Sequence, residues 1–214
     1  MRSILKIKLV AAFTFFALVI NAQTVEESVQ KTFQQFDTAK TIGQMMAASS
    51  QFDLLAAKYP TEYITNYYSA YSKAVISYKE KEGKKRDLYI DMATKYFDKA
   101  KQIKPEDSET YALAALLANA RLSVDGGSRW KEYGEIFEKN LTKAKELNPN
   151  NPRIYYLKGA ALFYTPKMFG GGGKKAKPFF EQAKPLFTTQ DTSSVLIPTW
   201  GERQTDDFLK MCEE

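Results

Sequence analysis

The sequence predicts an all-α chain built as a stack of about four helix pairs and closed by a short capping helix. Three observations carry that expectation. First, a stripe of a small or apolar, a bulky and another small or apolar residue recurs at spacings of four and three and ends in a proline. It reads Ala48-Phe52-Leu55-Pro60, then Ala93-Phe97-Ala100-Pro105, then Phe137-Leu141-Ala144-Pro149. A fourth copy, Ala176-Phe180-Ala183, has Thr188 where the proline would fall. Such spacings place side chains on one face of a helix, and proline, lacking the amide donor, stops the helix that precedes it. Second, a small residue stands ten positions beyond each proline, at Ala70, Ala115 and Gly159, where a neighbouring helix can approach closely. Third, Gly83, Gly126-Gly127 and the four glycines at 170–173 punctuate the stretches between stripes.

The elements follow in order. Arg2, Lys6 and Lys8 precede an uncharged apolar run over residues 9–20, and Asn21-Ala22-Gln23 follows it. That order reads as a cleavable export signal over residues 1–22. A membrane anchor, the alternative, needs about 20 apolar residues, and Lys6 and Lys8 interrupt the run too early. The Ala22-Gln23 junction resembles export signals of Bacteroidetes, and no cysteine follows it to carry a lipid. The periplasm is the expected destination, with secretion as the alternative, and no membrane span is expected after cleavage. Helices are then expected over 25–38 and 42–58, 61–80 and 87–103, 108–123 and 130–147, and 152–164 and 174–187. Residues 23–188 thus form the repeat domain. Residues 189–214 form an irregular segment and a last helix over 202–212, with Phe208, Leu209 and Cys212 on one side.

Composition narrows the chemistry. Hydrophobic residues make up 44% of the 214 and charged residues 26%, enough for a core and too apolar for a disordered tail. The net charge of +6 falls to +3 once the signal's three basic residues are removed (28 against 25), a weak case for nucleic acid in an exported chain. Histidine is absent and Cys212 is the lone cysteine. That excludes imidazole-based triads, zinc sites needing imidazole, and intrachain disulfides. No pair of acids is singled out by its context, so no catalytic residue, cofactor or metal is expected.

The small residue after the turn, the later Ala-aromatic-Ala-Pro order, and Asn148-Pro149-Asn150-Asn151 before Pro152 resemble the tetratricopeptide family over roughly residues 25–188. Pro198-Thr199-Trp200-Gly201 is similar to the ending of exported bacterial members. The resemblance implies a right-handed solenoid of helix pairs that binds proteins or peptides in a concave groove. It departs from the family in period. The prolines lie 45 and 44 residues apart, against a unit of 34, a spacing that overlaps HEAT and armadillo repeats. The Ala-Phe-Ala-Pro order favours the tetratricopeptide alternative, and the excess is assigned to long loops inside each pair, over 79–87, 123–130 and 165–173.

Carried over residue by residue, the resemblance puts Tyr67, Tyr71, Asn119, Arg153, Tyr156, Phe163 and Tyr164 on the groove. Aromatics are enriched at interface anchors, although aromatic stripes at helical spacing are as readily core. The glycines at 170–173 with Lys174 and Lys175 lack the strand and the Ser/Thr of a phosphate loop and read as a turn. The basic stretch at residues 79–86 reads as a solvated loop. Asn140-Leu141-Thr142 lies in an expected helix and is set aside as a glycosylation site, and Cys212 reads as buried filler. The expected function is a non-enzymatic exported scaffold for a protein or peptide. A small-ligand or glycan binder using the same aromatic groove is the alternative.

Overall fold

A computed structural model describes residues 25–191 and 196–213 of the chain. The expected signal at residues 1–22 lies outside them, as does the Ala22-Gln23 junction. Among the described residues the chain is all-α, with no strand. Residues 25–37 form α1. Then come α2 (Ile42–Lys58), α3 (Tyr63–Lys79), α4 (Gly83–Ile103), α5 (Ser108–Val124), α6 (Gly126–Leu147), α7 (Pro152–Tyr164), α8 (Gly173–Thr188) and α9 (Glu202–Met211). A single 3-10 turn, Lys167–Phe169, interrupts the α7–α8 connection.

Local chemistry sets the boundaries. Thr41 caps α2 reciprocally: its hydroxyl accepts from the Gln44 amide and the Gln44 side chain accepts from the Thr41 amide, each at 3.2 Å. Asp107, Asp125 and Asn151 cap α5, α6 and α7 through their side chains. Pro60, Pro105 and Pro149 each fall one residue after a helix C-cap, at Tyr59, Lys104 and Asn148. Two prolines are nevertheless carried inside α8, Pro178 and Pro185. The carbonyls they leave unbonded belong to Lys174 and Glu181, both exposed to solvent.

The expected long loops are corrected in two of three places. Only residues 80–82 join α3 to α4, and Asp125 alone joins α5 to α6. Gly83 and Gly126 are the first residues of helices, not loop residues. Neither has a positive φ, and at a helix start glycine needs none. The extra length beyond a 34-residue unit sits in the second helices, 21 residues in α4 and 22 in α6. Of the three connections inside pairs, α7–α8 is the long one.

Each helix packs on the next, and α3, α5 and α7 also pack on one another as an inner row. The repeated stripes form the seams: Phe52, Ala93, Ala100, Phe137, Leu141, Ala144, Phe180 and Ala183 are all buried. Ala70, Ala115 and Gly159 are buried mid-helix on the inner row. Polar ties join successive pairs. The Lys73 ammonium meets Asp53 between α3 and α2. Arg86 donates to the carbonyls of Ser77 and Ser123, at 3.1 and 2.8 Å. The chain's end returns along the inner row. Thr199 donates its amide to the Tyr68 hydroxyl at 3.0 Å, Arg203 of α9 pairs with Asp37 of α1 at 2.8 Å, and Phe208 stacks on Phe180 at 4.8 Å.

Candidate ligand-binding concavity

The inner row carries a run of tyrosines because α3 reads Tyr-Ile-Thr-Asn-Tyr-Tyr-Ser-Ala-Tyr, with Tyr78 two helical turns beyond Tyr71. The returning segment divides this row into a covered half and an open half.

In the covered half, Trp200 stacks on Tyr71 at 4.8 Å between ring centroids and donates its indole N–H to the Tyr67 hydroxyl at 2.8 Å. Tyr67 is 0% exposed and Tyr71 is buried. Arg153 is also fully buried. Its guanidinium donates to Glu109 at 2.9 Å, to Gln190 at 3.3 Å and to the Pro198 carbonyl, and it lies 5.1 Å from the Trp200 ring. Burial raises the Tyr67 hydroxyl well above its ordinary value, and nearby Glu109 adds to the rise. Burial likewise lifts the Glu109 carboxyl, with Arg153 opposing. The reading of Tyr67, Tyr71 and Arg153 as a partner surface is therefore corrected: they hold the chain's own Pro198-Thr199-Trp200 segment. A surface that a partner would need is already filled from within.

The open half runs from Tyr156, beside Trp200, toward the C-terminal ends of α3, α5 and α7. Asn119 donates its amide to the Tyr78 hydroxyl at 3.0 Å, so α5 fixes the phenol of α3. Tyr156 is half-buried, edge-on to Trp200 at 5.8 Å and 6.2 Å from Phe208. Phe163 is half-buried against Phe208 at 5.1 Å. Tyr164 stands over the same ring at 5.9 Å and is 73% exposed. The hydroxyls feel one another: desolvation chiefly raises Tyr78 and Tyr156, while Tyr156 adds to the rise at Tyr78, and Tyr164 to that at Tyr156. Arg203 opposes the rise at Tyr156 and Arg86 opposes that at Tyr78. Of the seven expected residues, Tyr156, Phe163 and Tyr164 gather around Phe208, and Asn119 binds Tyr78.

Tyr78 was missed by the sequence reading although its spacing continues the Tyr67–Tyr71 stripe. Trp200 and Arg203 carry no local signal that would place them on the inner row. The arrangement offers flat aromatic faces, phenol and amide hydrogen bonds and the guanidinium groups of Arg203 and Arg86 nearby. Among the described residues no cluster of three acids or cysteines could hold a metal ion. Another hollow, of about 420 Å³, opens at the N-terminal ends of α5 and α7, lined in part by Tyr63, Asp107, Glu109 and Asn151. Its polar groups are engaged internally: Asp107 accepts from Tyr63 and Thr110, Glu109 binds Arg153, and Asn151 caps α7.

Fold and site define an all-α protein whose helices pack in chain order and whose α3–α5–α7 row is partly covered by its own C-terminal segment. The chain belongs to the family of regulator of microtubule dynamics protein 1-3, whose model matches residues 27–191. The family returned is this one and not the tetratricopeptide family. Among solved structures, the chain is similar to the HusA haemophore from Porphyromonas gingivalis, with 30% identity and a TM-score of 0.74 over 90% of this chain and 92% of that one. A search of curated proteins finds no match. The structural neighbour is a binding protein rather than an enzyme, and no helix among the described residues is long and apolar enough to cross a membrane.

Proposed function

We propose that the protein is a non-enzymatic, exported binder of a flat, largely apolar small molecule of the haem class, with a tetratricopeptide-like right-handed stack as its frame. The observation that carries this is the open tyrosine face at the ends of α3, α5 and α7, where Tyr164 stands exposed beside half-buried Tyr156 and the Tyr78–Asn119 pair. Planar rings stack on such faces, with aromatic pairs contributing about 0.5–1.5 kcal/mol beyond area burial. Likeness to a haemophore over nine-tenths of the chain supports the ligand class. With no histidine in the chain, iron bound here would draw any protein ligand from phenolate, thioether or the Cys212 thiolate, and phenolate ligation is a known haem mode.

Haemin titrated into the mature chain, followed by its visible absorbance, tests the reading. Tyr164→Ala is expected to weaken binding by about 30-fold, the equivalent of a 2 kcal/mol anchor, with an unchanged melting temperature. Absence of saturable binding, or equal affinity for the variant, would sink it. Export is proposed from residues 1–22, with the mature chain starting at Gln23. Peptide mapping of the envelope fraction should find that N-terminus, and abundant peptides running through Ala22 would reject it.

A protein or peptide scaffold is the second reading. The filled inner row favours it less than the sequence did, but Trp130 on α6 is 64% exposed. A pull-down from native envelope with wild type and Trp130→Ala separates the two, since a scaffold acting there loses its partner with that ring.

A further inference from the structure

The α7–α8 connection takes no part in the concavity and has its own chemistry. Residues 147–180 contain no acidic residue, while Glu146 and Glu181 bound the stretch. Within it, Arg153 is buried on Glu109 and Lys158 pairs with Glu138 at 2.5 Å. Lys167, Lys174 and Lys175 are exposed, and none has a carboxylate within ion-pair distance among the described residues. At the tip, Met168 is 83% exposed and Phe169 is 72% exposed, a thioether and a phenyl ring presented side by side to solvent.

The tip is also rigidly shaped. The amides of Phe169 and Gly171 donate to the Pro166 carbonyl at 2.9 and 3.2 Å, Gly170 donates to Lys167 at 3.0 Å, and Gly172 donates to Leu162 at 2.8 Å. Gly170 has a φ of 84°, and a Cβ at Gly171 would fall 2.1 Å from the Thr165 carbonyl oxygen. The turn is thus fixed by glycine geometry, and the amides of residues 169–172 are bonded internally. Each amide bonded in this way lowers the cost of approaching a medium of low dielectric, where an unbonded backbone group is costly.

We propose that this loop is a docking device for an anionic lipid surface, with Met168 and Phe169 entering the headgroup boundary and Lys167, Lys174 and Lys175 lying against the anionic headgroups. A protein partner fits less well, because a stable protein interface buries about 800 Å² on each side and this is a convex tip of two apolar side chains. A bilayer needs no such area: shallow insertion of single side chains and attraction of about fivefold per lysine suffice. Such docking would bring a carrier of apolar cargo to the surface where that cargo leaves or enters. It requires nothing of the cargo's identity.

The test is cosedimentation of the full mature protein with vesicles of phosphatidylcholine alone and of phosphatidylcholine mixed with phosphatidylglycerol. The parent should partition onto the anionic vesicles and only weakly onto the neutral ones, with affinity falling as salt rises. Phe169→Ala should weaken it about tenfold, and Lys174→Ala and Lys175→Ala about fivefold each, with melting temperature unchanged for side chains that touch so little. Haemin titration of Phe169→Ala should match the parent, which separates this surface from the concavity. Equal binding to both vesicle types, or anionic binding that survives these substitutions, overturns the proposal. A Phe169-dependent dimer in gel filtration without vesicle binding would assign the tip to a second copy of the chain instead.

Discussion

At Gly159 an added Cβ would lie 2.7 Å from the Phe180 ring, and Phe180 is itself stacked on Phe208 and fully buried. The ring has nowhere to yield. Gly159→Leu is therefore expected to destabilise by about 1–3 kcal/mol or more, and Ala115→Leu similarly, while exposed Lys84→Ala stays within about 0.5 kcal/mol. Thermal melts of the three variants check this, and equal midpoints would mean that the close contacts are misplaced. The sequence disclosed these positions because small size is a property of the residue. It could not rank the tyrosines in the same way. Tyr67 is 0% exposed and Tyr164 is 73% exposed, although both fall at groove positions of the resembled repeat. What separates them is whether the chain's end reaches them, and no residue type encodes that.

Among the elements, α4, α5 and α6 are tied by one carboxylate. Asp87 accepts from Arg121 at 2.7 Å and from Arg129 at 2.7 and 2.8 Å. Hydrogen bonds from Arg129 are the chief cause that holds its carboxyl down at about 2. An unfolded aspartate titrates near about 3.9, so the folded value is depressed. The contribution is therefore present above about pH 4 and lost as pH falls through about 2. Asp87→Asn should lower the melting temperature at neutral pH, and the gap between variant and parent should narrow over that acidic window. A gap independent of pH would show that the clamp does not act through charge. The helix map itself was legible because proline and the capping side chains act within a few residues. Gly83 and Gly126 misled because glycine marks a breaker only when a positive φ is required, and here Asp125 and short connections begin the helices directly.

Over the whole molecule, the return of residues 196–211 joins the first helix pair to the last. Trp200 is its anchor, buried against Tyr67 and Tyr71, and Arg203 reaches Asp37 on α1. Removing a buried aromatic of this size costs about 3–5 kcal/mol, so Trp200→Ala should lower the melting temperature by roughly 10 °C. It should also make Tyr67 and Tyr71 reactive to a tyrosine-modifying reagent that the parent resists. Unchanged reactivity would mean that the segment does not protect them. The sequence by itself determined the helices, their pairing, the small-residue contacts and the exclusion of imidazole chemistry, because periodicity, proline and composition act locally or by count. Only the tertiary structure decided which half of the tyrosine row stays open. Closing it depends on Thr199 and Trp200 meeting Tyr68 and Tyr67 across 131 and 133 residues of chain, a contact set by the summed geometry of every helix between them.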